Sequence, residues 1–130
     1  MDSVAGFEIP ADDIKRAEQF YAGAFGWQHV VPPGMEGEGG MLVTAEMGED
    51  ERPLERGRIN GALAQREDPD VGIQLGIEVT SMDETLERVK AAGGEIVAPK
   101  VDMGGYGWYA RIRDTEGNIL SLWEPAPMEE

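Results

Sequence analysis

Two stretches of this chain share one layout. FEIPADDIKRAEQFYAGAFGW, from Phe7 to Trp27, and LGIEVTSMDETLERVKAAGGEIV, from Leu75 to Val97, each run from a short apolar strand through a polar cap into about three turns of amphipathic helix. Each then reaches glycine and a further apolar segment. Shifting the first by 68 positions lays Ile9 on Ile77, the cap Asp13 on the cap Ser81, Ala24 on Ala92 and Gly26 on Gly94. The match is one of pattern more than identity, but a unit written twice is a unit folded twice, and this limits the available folds more than any other feature.

The elements around the repeat complete two similar sets. In the first, Val4 to Ile9 reads as a strand, Asp12 or Asp13 as a helix cap, and Ile14, Ala17, Phe20, Tyr21 and Ala24 recur at helical spacing before Gly26 ends the helix. The stripe Ile14, Ala17, Phe20, Tyr21 and Phe25 is expected to be core. GWQHVV, GGMLVTAEM and RINGALAQ follow as three short strands separated by Gly, Pro and charge. In the second set, GIQLGIEV is a strand and Ser81 with Glu84 forms a capping box. Met82, Leu86, Val89 and Ala92 then make a buried stripe, and Gly93 and Gly94 stop the helix. GGEIVAP, GWYARIR and NILSLWE are its remaining strands, the last two joined by a DTEG turn. Both sets count βαβββ, so the fold class is α+β.

A chain of 130 residues suits one domain. We expect a single domain over 1–130, with one module at about 4–65, another at about 72–124, and REDPDVG as the linker. With no cysteine, neither a disulfide framework nor a thiolate metal site is available. No apolar run approaches the roughly 20 residues that cross a bilayer. The start MDSVAGFEIP lacks the basic and apolar regions of a signal peptide, so a cytoplasmic location is expected. The balance of 11 Lys and Arg against 26 Asp and Glu gives a formal net charge of -15. That field repels phosphate backbones and anionic lipid, and no basic patch interrupts it, so no nucleic-acid or membrane partner is expected. MEGEGG and AEMGEDERPLERG hold much of the acid and read as solvated loops.

FEIPADDIKRAEQFYAGAFGW resembles the opening of proteins in the vicinal oxygen chelate superfamily, which includes glyoxalase I, bleomycin-resistance proteins and extradiol dioxygenases. GWYARIRDTEGNILSLWEP is similar to their closing hairpin, with Thr115 where proline is usual in the turn. The resemblance covers Gly6 to Glu124. It implies two βαβββ modules forming curled mixed sheets around a cleft, commonly in a homodimer. In metal-dependent relatives it implies ligands on the first strand of each module, on the last strand, and on the strand that closes the first module. The matching positions here are Gly6, Gln74 and Ser121, while RINGALAQ contains neither an acid nor a histidine. Hard divalent metals need carboxylate oxygen or imidazole. Only Gln74 offers even a neutral oxygen, so no metal and no other cofactor is expected. The lone His29, without a second histidine to share a metal, reads as a surface or hydrogen-bonded residue.

Strand alternation then sorts the faces. Phe7 and Ile9 belong under the first helix, and Leu75, Ile77 and Val79 under the second, which sends Gly6, Glu8, Gln74, Gly76 and Glu78 to the opposite face. In the hairpin Ala110, Ile112, Leu120 and Leu122 suit the helix side; Tyr109, Arg111, Arg113, Ser121 and Trp123 suit the cleft. One bulge would reverse the assignment. The candidate binding set is therefore Glu8, Gln74, Glu78, Tyr109, Arg111, Ser121 and Trp123. Tyr109 and Trp123 suit stacking on a flat ligand, although Trp123 equally suits core or a dimer interface. Arg111 suits a ligand carboxylate, or an ion pair with Glu8 or Glu78. Tyr106 and Trp108 fall in MGGYGWY, either a lid over the cleft or an irregular turn.

These residues lead to metal-free binding of a small organic molecule by a homodimer, sequestering it as resistance relatives do. Two other functions stand beside this one. The first is a lyase, isomerase or other small-molecule enzyme with atypical metal ligands, or with Glu8 or Glu78 as acid and base. The second is an interaction module whose cleft has lost its use. Whether any reaction is catalysed is left open by the residues, and no catalytic residue is assigned.

Overall fold

Asp13 stops β1 (Ser3–Ala11) and starts α1 (Ile14–Phe25) by accepting the Arg16 amide at 3.0 Å on its side-chain oxygen. Gly26 closes the helix in the left-handed region, φ 74°. The Trp27 amide then donates to the Tyr21 carbonyl, which folds the Trp27 indole back onto the Tyr21 ring, stacked at 5.3 Å between centroids. β2 (Gln28–Val30), β3 (Gly39–Val43) and β4 (Gly61–Gln65) follow. The second set is β5 (Gln74–Glu78), α2 (Met82–Ala91), β6 (Glu95–Asp102), β7 (Gly107–Arg113) and β8 (Ile119–Pro125). These elements are those of a computed structural model that describes residues 1–33, 39–50 and 52–127. Most of the acidic loop MEGEGG lies outside the described residues.

The chain divides into two compact units, Gly6–Ile73 and a second formed by Met1–Ala5 with Gln74–Glu130. In the first, the strand order is β2-β3-β4-β1. β1 runs parallel to β4, with Ile9 opposite Leu63, while β3 is antiparallel to both β2 and β4. Ala11, Leu42 and Leu63 are buried, and Phe7, Ile9, Ile14, Ala17, Tyr21 and Trp27 pack against them. The expected placement of Phe7 and Ile9 under the helix holds. The expected burial of the whole α1 stripe does not. No residue of α1 is buried, and Phe20 and Phe25 are 59% and 61% exposed, with Ala24 exposed as well. Three- and four-residue spacing puts side chains on one face, but β2 and β4 cover only the part of that face carrying Ile14, Ala17 and Tyr21.

The second unit repeats the plan. Its order is β5-β8-β7-β6, and again the first strand of the set, β5, lies parallel beside the fourth, β8. β7 is antiparallel to both β8 and β6. Ser81 caps α2 by accepting the Glu84 amide, and acids in the first turn with bases in the last complement the helix dipole. Val79, Met82, Leu86, Ala110, Ile112 and Leu122 form the buried cluster, with Ile77, Val89, Ile96, Trp108 and Leu120 packed around it. Leu75 and Ala92 are corrections: both are exposed, Leu75 because it lies beyond the strip of sheet that the ten-residue α2 covers and Ala92 because it forms the helix cap. Trp108 belongs to β7 rather than to the glycine-rich turn, and it packs on this core with the Lys100 ammonium 5.0 Å from its ring centre. The turn itself is ordered by the Asp102 carboxylate, which accepts the Gly105 amide. Among the described residues no helix is long and apolar enough to cross a membrane.

Candidate functional site

β5, β8 and β7 keep unbroken register, since the register shifts of this sheet fall in β6, between Ile96 and Ala98 and between Ala98 and Val101. Alternation therefore holds where it matters. With Ala110, Ile112 and Leu122 committed to the α2 side, the opposite face carries two cross-strand rows. Gly76, Ser121 and Arg111 make one; Glu78, Trp123 and Tyr109 make the other. Neighbouring strands lie about 4.8 Å apart, so members of a row are within side-chain reach. Six of the seven candidate residues are thus on this face of the second unit. Glu8 is on β1 of the first unit, opposite Ala62 of β4.

Within the rows the polar groups are specifically engaged. Arg111 donates from Nε to the Tyr109 phenolic oxygen at 2.7 Å, and its guanidinium carbon is 5.5 Å from the Tyr109 ring centre. The pair is a preformed unit in which a charged donor fixes an aromatic ring. Ser121, buried, donates its hydroxyl to the Leu75 carbonyl at 3.3 Å. Gln74 is 4% exposed, and its side-chain oxygen Oε1 has no hydrogen-bond partner among the described residues. An amide oxygen withdrawn from water and left unpaired costs about 1–3 kcal/mol.

One residue of this site escaped the sequence. Gly107 opens β7, and a Cβ there would lie 2.8 Å from Cζ2 of Trp123 and 2.4 Å from the Glu124 carbonyl oxygen. The indole of Trp123 lies against a strand that has no side chain at that point. A glycine inside a strand often marks such a close approach, but Gly107 both opens GWYARIR and lies within MGGYGWY, so the sequence does not separate a close approach from a turn glycine. His29 resolves in favour of a hydrogen-bonded residue. Its side chain is 2% exposed on β2, and Nδ1 is 2.7 Å from Oε2 of Glu18 on α1, so it belongs to the packing of the first unit.

The donors at the positions of the implied metal site do not suit a hard divalent cation. Gly6 has no side-chain donor, Ser121 is turned to the Leu75 carbonyl, and β4 reads GALAQ. Gln74 Oε1 alone would be left to bind. Among the described residues no group of three or more His, Cys, Asp or Glu could hold a metal ion. A single neutral oxygen is too little charge and too few ligands for the six- to eight-fold oxygen shells or the imidazole and carboxylate sets that such ions take.

A family model for the Glyoxalase/Bleomycin resistance protein/Dioxygenase superfamily matches residues 2–122. The chain belongs to that superfamily. Similar proteins include a glyoxylase-like domain-containing protein of Didymella fabae, 29% identical over 92% of this chain and 91% of its own. The anthracycline biosynthesis protein DnrV of Streptomyces peucetius is 26% identical over 96% of this chain and 48% of its own, so the chain spans about half the length of that relative. Among solved structures, methylmalonyl-CoA epimerase from Mycobacterium tuberculosis aligns with a TM-score of 0.62 at 19% identity, covering 95% of this chain and 87% of its own. At that identity the likeness is one of fold. The superfamily fold agrees with the two βαβββ sets and their parallel first and fourth strands; activity in so varied a group has to be read from the site.

Proposed function

We propose that this superfamily member binds a small organic molecule on the β5-β8-β7 face without a metal ion. In this proposal residues 1–130 work as one domain, in a cytoplasmic homodimer. The observation that carries it is the buried, unpartnered Oε1 of Gln74 on the same face as the aromatic row. A ligand N–H or O–H that displaced the side chains covering that oxygen would satisfy it, while the Tyr109 ring and the Trp123 indole offer flat apolar surface on the same face. Arg111 supplies positive charge, so the fitting ligand has a ring, a hydrogen-bond donor and an anionic or strongly accepting group. The superfamily's small-molecule sites and the epimerase among the similar structures favour a ligand of this scale.

A second function draws support from Glu78, which shares one cross-strand row with Trp123 and Tyr109. There it would act as an acid or base in an isomerase or lyase reaction. Native mass spectrometry of the purified protein with its co-purifying small molecules, followed by tryptophan-fluorescence titration of what is found, tests the binding proposal. Quenching and saturation in wild type with a weakened response in Trp123→Leu are expected. A ligand bound equally well by Trp123→Leu and by Gln74→Leu would overturn it. Turnover of the bound molecule that is lost in Glu78→Gln would establish the second function.

A further inference from the structure

We infer that the aromatic face of α1 is the surface through which two copies of this chain associate, an inference that rests on the homodimer proposed above and names its contact. α1 and α2 differ in a way their sequences do not announce. α2 buries Met82, Thr85 and Leu86, whereas α1 buries none of its residues. On α1 the rings of Phe20, Tyr21 and Phe25 join that of Trp27 in one connected cluster, with centroid distances of 5.1 to 6.4 Å. Phe20 and Phe25 present more than half their surface to water. A contiguous aromatic patch of this kind is uncommon on a surface that stays in water, and aromatic residues are enriched at the centres of protein interfaces.

Charge selects the occupant. Across α1 and the hollow beside it three bases, Lys15, Arg16 and Arg66, balance three acids, Asp12, Asp13 and Glu18, which is a net charge of zero in a protein whose total is -15. Two copies repel one another over most of their surfaces, and this face lets them meet without forcing like charges together out of water. Beside Phe20 a hollow of about 370 Å³, walled by Pro10, Asp12, Asp13, Arg16, Tyr21 and Arg66, has room for an aromatic side chain. The Arg66 guanidinium in that wall is already satisfied by the Asp12 carboxylate and by the Val71 and Pro10 carbonyls, so the hollow adds no unpaired charge there. A two-fold contact uses the same patch on both copies, and a face that carries both a protruding ring and a hollow is self-complementary.

Sedimentation and light scattering on the whole chain test this. Wild type is expected at twice its chain mass of 14.2 kDa. Phe20→Asp and Phe25→Asp should each raise the dimer dissociation constant at least about tenfold, with the far-UV spectrum unchanged. Should either variant fail to fold, the absence of cysteine gives a second route. Ala24→Cys, exposed on the same helix, should be joined to the second copy by a short thiol crosslinker, while Glu87→Cys on α2 should not. A wild-type dimer that keeps its affinity in both Phe variants, or that crosslinks through Glu87→Cys and not Ala24→Cys, overturns this inference and leaves the homodimer standing. Wild type that is monomeric at high micromolar concentration overturns both. Monomer that instead co-sediments with phosphatidylcholine vesicles would also overturn the inference, by making lipid the occupant of the face.

Discussion

The indole of Trp123 rests on Gly107. A methyl group in place of the glycine hydrogen would lie 2.8 Å from the ring and 2.4 Å from the Glu124 carbonyl oxygen, and the backbone at Gly107 has φ 152°. Gly107→Ala must therefore shift the indole, the strand or both. A loss of about 1–3 kcal/mol in urea-unfolding stability is expected, the usual range for an overpacked site. Ligand affinity should fall with it, because the displaced ring belongs to the binding row. Unchanged stability would mean that Trp123 is held by something other than this contact.

Trp123 and Tyr109 face each other across β8 and β7, and this placement separates a binding role from a packing role. Trp123→Leu should weaken ligand binding by about 0.5–1.5 kcal/mol beyond lost area. A core role predicts instead a loss of a few kcal/mol of stability with affinity intact, on the order of 3–5 kcal/mol for full truncation of a large aromatic. Thermal melts of the variant with and without ligand distinguish the two.

Tyr109→Phe keeps the ring and removes the oxygen that accepts from Arg111 Nε. The charged donor then loses a partner, at a cost of about 1–3 kcal/mol if the site stays dry. Binding of an anionic ligand should suffer more in Arg111→Ala than in Tyr109→Phe, since the first removes the charge and the second only its fixed geometry. Equal effects in calorimetric titrations would argue that the ligand does not reach Arg111.

The donor set around Gln74 gives a prediction about metal. After dialysis, elemental analysis should find well under one equivalent of Ni, Zn, Mn or Fe per chain. Added metal should leave the melting temperature unchanged, whereas a bound ion at a hundred times its dissociation constant would add about 2.7 kcal/mol. Stoichiometric metal that disappears in Gln74→Ala would refute the metal-free proposal.

Asp114 sets the closing hairpin and carries a pH signature. Its carboxylate accepts from the Asn118 side chain and from the backbone amides of Asn118 and Glu116, with the Asn118 side chain the largest influence, and its pKa is lowered from the ordinary 3.8. A folded-state pKa below the unfolded one means stability that is fully present above 3.8 and is lost as pH falls through the lower folded value. Asp114→Ala should therefore be less stable than wild type at neutral pH, and the gap should narrow in acid. A gap independent of pH in paired urea melts would assign the turn's stability to its backbone alone.

Much of the local structure follows from neighbours in sequence. Asp13 and Ser81 cap their helices because a short oxygen side chain reaches the amide three residues on, and GWYARIR is β7 from end to end. Ala110, Ile112, Leu120 and Leu122 fall on one face because strands alternate, and the 68-residue repeat returns as two sets of four strands with the same parallel pairing of first and fourth strands. What the tertiary structure alone decided is how completely each face is covered. Periodicity states that Phe20, Tyr21 and Phe25 lie near one another, but their exposure depends on whether another element packs over them, and only Tyr21 is so covered in the first unit. The same holds for Gln74, whose burial and unpaired oxygen arise from the strands around it, and for Gly107, whose need to be glycine comes from a tryptophan sixteen positions away. Burial, pairing and close approach are relations between segments distant in the chain, and no single segment contains them.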